Sequence, residues 1–163
     1  MKNYICIDGK KAELTPEQLK TLGIEVNGKG VFGRVDKGDR YYYITSQGNV
    51  KETFDMVMYQ DCTHHDVANY CTDKTLMKQR ALHETLNRLL WRYSMEHNGD
   101  KIDWFNKNEF KYCIGYNHKA ALFTCFVLEE RFGAVYFYTK EIAESAIREV
   151  IKPFMSEHPE FKW

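Results

Sequence analysis

Four segments of this chain carry residue types at spacings that could do chemistry. Gly28-Lys-Gly-Val-Phe-Gly33-Arg34-Val35 matches, letter for letter, the glycine loop through which kinase backbone amides approach ATP phosphates. The supporting parts are missing: there is no catalytic His-Arg-Asp, no Asp-Phe-Gly, and too little chain for two lobes. A strand hairpin rather than a helix should follow it, so it also fails as a dinucleotide fingerprint. It reads as a glycine connector. His83-Glu84-Thr85-Leu86-Asn87 begins like the zinc-protease helix motif, but Asn87 stands where a second imidazole is required one turn later. Cys62, His64, His65 and Cys71 cluster in what reads as a loop and are all zinc-ligand types. A structural zinc site wants a tighter pair, and adjacent histidines rarely chelate one ion. The loop reads as ordinary, with two partly buried thiols. A Cys–His nucleophilic pair is assembled by a fold rather than by neighbours in sequence. No Gly-x-Ser-x-Gly elbow, Walker A loop or paired-carboxylate motif occurs. No catalytic residue, metal or cofactor is expected.

The fourth segment interleaves basic and aromatic groups. Arg34, Lys37, Arg40, Tyr41 and Tyr43 fall on adjacent stretches that alternate like strands. Single-stranded nucleic acid, a nucleotide or a protein partner could stack on such a sheet. The competing reading is a tyrosine-rich sheet packed on a helix, with arginines snorkelling at its rim. Tyr and Arg are over-represented at interface hot spots. The glycines at 28, 30, 33 and 38 would leave the hairpin open. These five residues are the expected partner- or ligand-contact set.

The elements that must position them can be read from turn and cap chemistry. Residues 1–24 form a small β-hairpin-helix module. Strands around Tyr4–Ile7 and Lys11–Leu14 flank Asp8-Gly9, a type I′ turn pair, and Thr15-Pro16-Glu17-Gln18 has the form of a capping box. Leu19 and Leu22 supply its inner face. Residues 25–33 are a glycine-rich connector, and 34–163 are the main α+β domain. That domain opens as a meander: Arg34-Val35, Arg40–Ile44 and Val50–Phe54 around turns at 36–39 and 46–49. Residues 55–71 are ambiguous, with 67–70 a candidate edge strand. Thr72 is the expected N-cap of a helix over 73–97, with Leu82, Leu86, Leu89 and Tyr93 inward and Leu76 and Leu90 widening the stripe. Strands over 110–116, 121–128 and 134–138 follow. Thr139 then caps a helix stopped near Pro153, and Phe154, Phe161 and Trp163 pack back. Both halves read as strands followed by a Thr-preceded helix, through duplication or simply because Thr caps helices well. The fold class is α+β: antiparallel strands packed on a long central helix, with a C-terminal helix.

Composition removes several function classes. The 163 residues carry 23 Lys+Arg and 23 Asp+Glu, so the chain is neither a basic nucleic-acid coat nor an acidic mimic of DNA. No run approaches the roughly 18 apolar residues of a membrane span. Residues 1–14 lack the apolar core of a signal peptide. Five scattered cysteines, at 6, 62, 71, 113 and 125, read as reduced thiols in a cytoplasm. The unusual quantity is 24 aromatic residues, 11 of them Tyr, and that excess points weakly to a homodimer.

Taken together, the segments resemble an uncharacterised family of small proteins encoded in phages and prophages of Gram-positive, largely gut, bacteria. The resemblance covers most of the chain. It rests on Phe32-Gly-Arg-Val35, Gly38-Asp-Arg-Tyr-Tyr-Tyr-Ile44, Gly48-Asn-Val50 and Asn69-Tyr-Cys-Thr72. It continues through Ile102-Asp-Trp104, Lys111-Tyr-Cys-Ile114 and Ala134-Val-Tyr-Phe-Tyr-Thr139 into Glu141-Ile-Ala143, with Ile7-Asp-Gly-Lys10 and Leu14-Thr-Pro-Glu-Gln-Leu19 in the lead module. The resemblance carries no catalytic residue over. It implies a phage accessory protein in the cytoplasm of a bacterial host. The expected function is non-enzymatic: binding a host protein target, such as a defence nuclease or complex, and inhibiting or redirecting it. An anti-CRISPR inhibitor is the most concrete version. The alternatives are a nucleotide or small-ligand sponge and a nucleic-acid-binding phage regulator, the latter not favoured.

Overall fold

The computed structural model describes residues 4–7, 10–22, 30–103, 106, 109–117, 119–120, 122–127 and 133–163. Among these residues the protein is a mixed α+β chain with three two-stranded hairpins, a long helix and a C-terminal helical segment. It divides into two compact units: Met1–Tyr43 with Lys51–Lys74, and Ile44–Val50 with Thr75–Trp163. The division does not follow the sequence boundaries at 24 and 33, and it cuts the stretch 34–163.

In the first unit, β1 (Tyr4–Ile7) pairs with β2 (Lys10–Glu13) in the register Tyr4↔Glu13. The Asp8-Gly9 turn lies outside the described residues, as do Gly23 and the connector glycine Gly28. α1 (Pro16–Thr21) is opened by the expected capping box. The Thr15 N–H donates to Gln18 Oε1 (2.9 Å), and the Gln18 N–H donates back to Thr15 Oγ1 (3.3 Å). Leu22, expected inward, is exposed.

β3 (Arg40–Ile44) and β4 (Val50–Phe54) form the second hairpin. Arg34-Val35 is not the meander strand that its sequence suggests. The Val35 N–H goes to the Tyr70 hydroxyl (3.1 Å), and the Arg34 guanidinium is taken up by Asp55. With its donor used that way, the segment cannot join a ladder. Residues 59–66, which carry Cys62, His64 and His65, are a helix (α2, Tyr59–Asp66) rather than a loop. It has no apolar stripe to announce it. Its start is held instead by the Asp61 carboxylate, which accepts the Met58 N–H (2.9 Å). The edge strand expected at 67–70 is likewise absent. Ala68 turns the chain at φ 56°, and only Cys71 pairs, with Tyr42, through two hydrogen bonds of 2.7 and 3.0 Å.

The second unit is organised on α3 (Lys74–Asn98). The helix begins one residue too late for Thr72 to cap it. The Thr72 N–H and hydroxyl both donate to the Val31 carbonyl instead. Leu86, Leu90 and Tyr93 are buried against Phe137, Ile147 and Ile151, with Leu82 and Leu89 half-buried at the flanks. Leu76, at the far end of the expected stripe, is exposed. Gly48, in the β3–β4 tip, has φ 84°, and a Cβ there would lie 3.0 Å from Thr85 Oγ1. Only glycine suits both demands.

β5 (Tyr112–Asn117) and β6 (Leu122–Val127) pair antiparallel, Tyr112 opposite Val127. Their half-buried Tyr112, Ile114, Phe123 and Cys125 pack against the core that α3 shares. The strand expected at 134–138 is reduced to one bridge, Phe137 to Tyr112 (2.9 and 2.8 Å). Its neighbours are claimed by the end of α3. Ser94 Oγ and Asn98 Nδ2 both donate to the Tyr136 carbonyl (2.6 and 2.9 Å), and the Tyr138 N–H donates to Asn98 Oδ1 (2.9 Å). Thr139 does cap α4 (Lys140–Ala146), accepting the Ile142 N–H. The helical path does not stop at Pro153. A π turn at Ile147–Ile151 precedes it, the Lys152 N–H reaching back to the Ile147 carbonyl, and Pro153 then sits in the first turn of α5 (Lys152–Glu157). The first turn is where a missing N–H costs least. Phe154 and Phe161 enter the core, and Trp163 packs against it.

The β3–β4 and β5–β6 hairpins are therefore closed the same way. A single residue pair, Tyr42–Cys71 or Tyr112–Phe137, brings the chain back to the first strand, and a helix starts three residues later. Asn98 is the polar centre of the second closure. Asn98→Ala removes the acceptor of the half-buried Tyr138 N–H and one donor to the buried Tyr136 carbonyl, and should cost about 1–3 kcal/mol in urea unfolding.

Candidate functional site

Two of the residues that the sequence singles out, Arg34 and Tyr41, meet two buried carboxylates in the first unit. Asp55, just past β4, is fully buried. Arg34 meets it with two donors, Nε to Oδ2 (2.8 Å) and Nη2 to Oδ1 (3.1 Å). The Tyr70 hydroxyl donates to Oδ2 (3.0 Å) and the Val57 N–H to Oδ1 (2.8 Å). Asp61, on the first turn of α2, accepts the Met56 N–H (3.0 Å) and Met58 N–H (2.9 Å) at one oxygen and the Tyr41 hydroxyl (2.8 Å) at the other. No buried side-chain nitrogen or oxygen among the described residues is left without a partner.

The rings above these carboxylates are stacked. Tyr41 lies 4.0 Å from Tyr70 at 13°, and Tyr43 lies 4.2 Å from His64 at 19°. His64 Nδ1 is 2.9 Å from the Tyr41 oxygen. Since the Tyr41 proton is directed at Asp61, His64 must carry its proton on Nδ1 and donate it to the phenol oxygen. That tautomer is assigned from the hydrogen-bond pattern.

The electrostatics follow from the contacts. The Arg34 guanidinium holds Asp55 down to about 2, against the effect of burial, and Asp55 in turn pushes Arg34 further above its ordinary value. Burial opposes ionisation of Asp61, yet the Met58 N–H, the Tyr41 hydroxyl and the Met56 N–H keep it below the usual carboxylate range. Burial, followed by the hydrogen bond to Asp61, raises Tyr41. Burial, together with Asp55, pushes Tyr70 up to about 12. Both tyrosines are thus phenols and both aspartates are anions at neutral pH.

This arrangement holds a segment that the sequence motifs pass over. Val57 sits at φ 61°, a left-handed conformation that costs a β-branched residue about 1–2 kcal/mol. Three consecutive N–H groups, those of Met56, Val57 and Met58, are bound from beneath by charged acceptors, which offsets that strain. The side chains above face solvent: Met56, Val57 and Met58 are exposed, the last at 65%, and Tyr59 reaches 85%. Phe54 and Val67 are exposed as well. The signal in the sequence was Met-Val-Met-Tyr between Asp55 and Asp61. It has neither strand nor helix period, so it reads as unassigned chain.

The five expected contact residues separate into two groups. Arg34, Tyr41 and Tyr43 are brought together in the frame. Tyr41 is fully buried and offers nothing to a partner, Arg34 is engaged by Asp55, and Tyr43 is half-buried under His64. Tyr41 and Tyr43 do share a face, with Tyr42 apart from them under the Lys74 ammonium. Lys37 and Arg40 are exposed, Arg40 paired with Glu52 at 3.3 Å. The Cys-His set does not converge. Cys62 Sγ accepts from Arg34, His64 and His65 contact tyrosine rings, and Cys71 faces the Asp73 backbone. Among the described residues no three His, Cys, Asp or Glu side chains form a metal-binding group. Cys62, Cys71, Cys113 and Cys125 are free thiols.

Asp55 has a lower pKa folded than unfolded, so its contribution to stability is complete above the unfolded value near 4 and drains as pH falls toward 2. That contribution is about 2–3 kcal/mol. Urea midpoints should therefore fall between pH 4 and pH 2 in the wild type. Asp55→Asn should be less stable at pH 7 and show a flatter profile across the same window; equal losses in both proteins would place the linkage elsewhere. In comparisons with known proteins the chain matches no family model, no curated protein and no solved structure.

Proposed function

We propose that this protein is a non-enzymatic binding protein whose Met56–Tyr59 turn docks into an apolar cleft of a partner protein. The observation that carries this reading is the pairing of strain with exposure. A left-handed valine, flanked by two methionines and followed by a tyrosine, is fixed by two buried carboxylates and then left in solvent. Strain of this kind is retained where the surroundings over-determine it, commonly at ligand clamps. Thioethers adapt to irregular pockets, and tyrosine is a common hot-spot anchor. Lys37 and Arg40 supply polar groups at the exposed side of the same unit.

The resemblance to phage and prophage accessory proteins supplies the biological setting. In it the partner is a host protein, a defence nuclease or complex in the bacterial cytoplasm, inhibited or redirected by stoichiometric binding; an anti-CRISPR-like inhibitor is the most concrete form. Equal numbers of acidic and basic residues argue against nucleic acid as the partner. No helix among the described residues is long and apolar enough to cross a membrane.

The test is affinity capture from host lysate, followed by affinity measurement on the captured partner. Replacing both Met58 and Tyr59 with Ser should weaken binding at least thirtyfold, about 2 kcal/mol, with an unchanged melting temperature. Val57→Gly is expected to leave stability unchanged or raise it by up to about 1 kcal/mol, because it relieves the left-handed strain, while binding weakens. Undiminished partner affinity in both variants sinks the docking role of the turn. Light scattering at dimer mass that reverts to monomer in the Met58/Tyr59 double variant would identify a second copy as the occupant instead.

A further inference from the structure

The interrupted zinc-like motif on α3 acquires a different meaning in the folded second unit. His83 and Asn87, one turn apart, line an open, solvent-facing cavity of about 470 Å³ together with Leu86, Leu90 and Trp163. That volume falls within the range of small-molecule sites, which pair an apolar floor with a few convergent polar groups. Asn87 and His83 face solvent and Trp163 is half-buried, and among the described residues no protein group engages the Asn87 carboxamide, the His83 ring nitrogens or the Trp163 indole N–H. The rings are nevertheless fixed. Trp163 stands edge-on to Phe123 (5.0 Å, 84°) and Phe161 (6.3 Å, 89°), and His83 lies 4.7 Å from Phe161. Glu84, the remaining lining residue, is already answered by Arg80 Nε at 2.8 Å.

We infer that this cavity binds a neutral planar nitrogen heterocycle of the nucleobase type, stacked on Trp163 and read along its edge by Asn87. A carboxamide offers a donor and an acceptor side by side, matching a heterocycle that presents an acceptor beside an amino group, as adenine does. Indole supplies a stacking face for any such ring. His83 provides a second hydrogen bond. Among the described residues the lining holds a carboxylate and neither Lys nor Arg, which favours recognition of the base over a phosphate. This site is independent of the Met56–Tyr59 turn, and the two readings stand or fall separately.

The test is titration of the full chain with adenine, adenosine, AMP and indole, read by calorimetry and by saturation-transfer NMR. Adenine and adenosine should bind in the millimolar range or tighter, and indole more weakly. Asn87→Leu, at an exposed helix position that tolerates leucine, should weaken adenine at least tenfold while the melting temperature is kept. Trp163→Ala should weaken it at least fivefold, with Trp163→Phe retaining most of the affinity and guarding against a folding defect. The inference is overturned by absence of adenine binding, by indole binding as tightly as adenine and indifferent to Asn87→Leu, or by AMP binding more tightly than adenosine.

Discussion

The buried carboxylate of Asp55 is the contact on which the first unit depends. A lone carboxylate without solvent exposure would be strongly destabilising, and here four donors answer it: two from Arg34, one from Tyr70 and one from the Val57 backbone. The donors come from three stretches of chain: Arg34 before β3, Val57 just beyond Asp55 itself, and Tyr70 next to Cys71. The carboxylate therefore ties together the segment before β3, the end of β4 and the approach to Cys71. Asp61, on the first turn of α2, repeats the device with Tyr41 and two backbone amides. The stack of Tyr41 on Tyr70 sits above both anions, so the hydroxyls that would otherwise be stranded by burial become their donors.

Much of the architecture was legible because it is local. Thr15–Gln18 closes a capping box, Thr139 caps α4, and the Leu86/Tyr93 spacing marks the buried side of α3. What was not legible depends on contacts between distant residues. Arg34 looked like a surface cation, since its partner lies 21 residues away. Val35 and Tyr138 carry strand-like sequence, but their amides go to a side chain and not to a ladder. α2 lacks apolar periodicity and is secured by Asp61, so hydrophobic patterning misses it. Of the expected contact residues, alternation correctly put Tyr41 and Tyr43 on one face. Whether that face is buried is a tertiary fact, and the structure closes it over Tyr41.

The two closures, at Tyr42–Cys71 and Tyr112–Phe137, show one topology reached with different chemistry. The first is accompanied by ionised groups and phenols, the second by the neutral amide of Asn98 and the hydroxyl of Ser94. A neutral clamp does not titrate with acid, whereas a carboxylate clamp does. The two closures are therefore built to respond unequally to proton concentration.

The division of labour in the Met56–Tyr59 turn has an evolutionary consequence. Asp55 and Asp61 grip only backbone amides there, groups that every residue except proline supplies. The side chains above are exposed, so their identity is less constrained by burial than that of the residues beneath. Such a mount accepts new tips without renegotiating its core. Substitutions in a handful of adjacent codons would change this exposed surface and leave the two carboxylates and their backbone contacts in place.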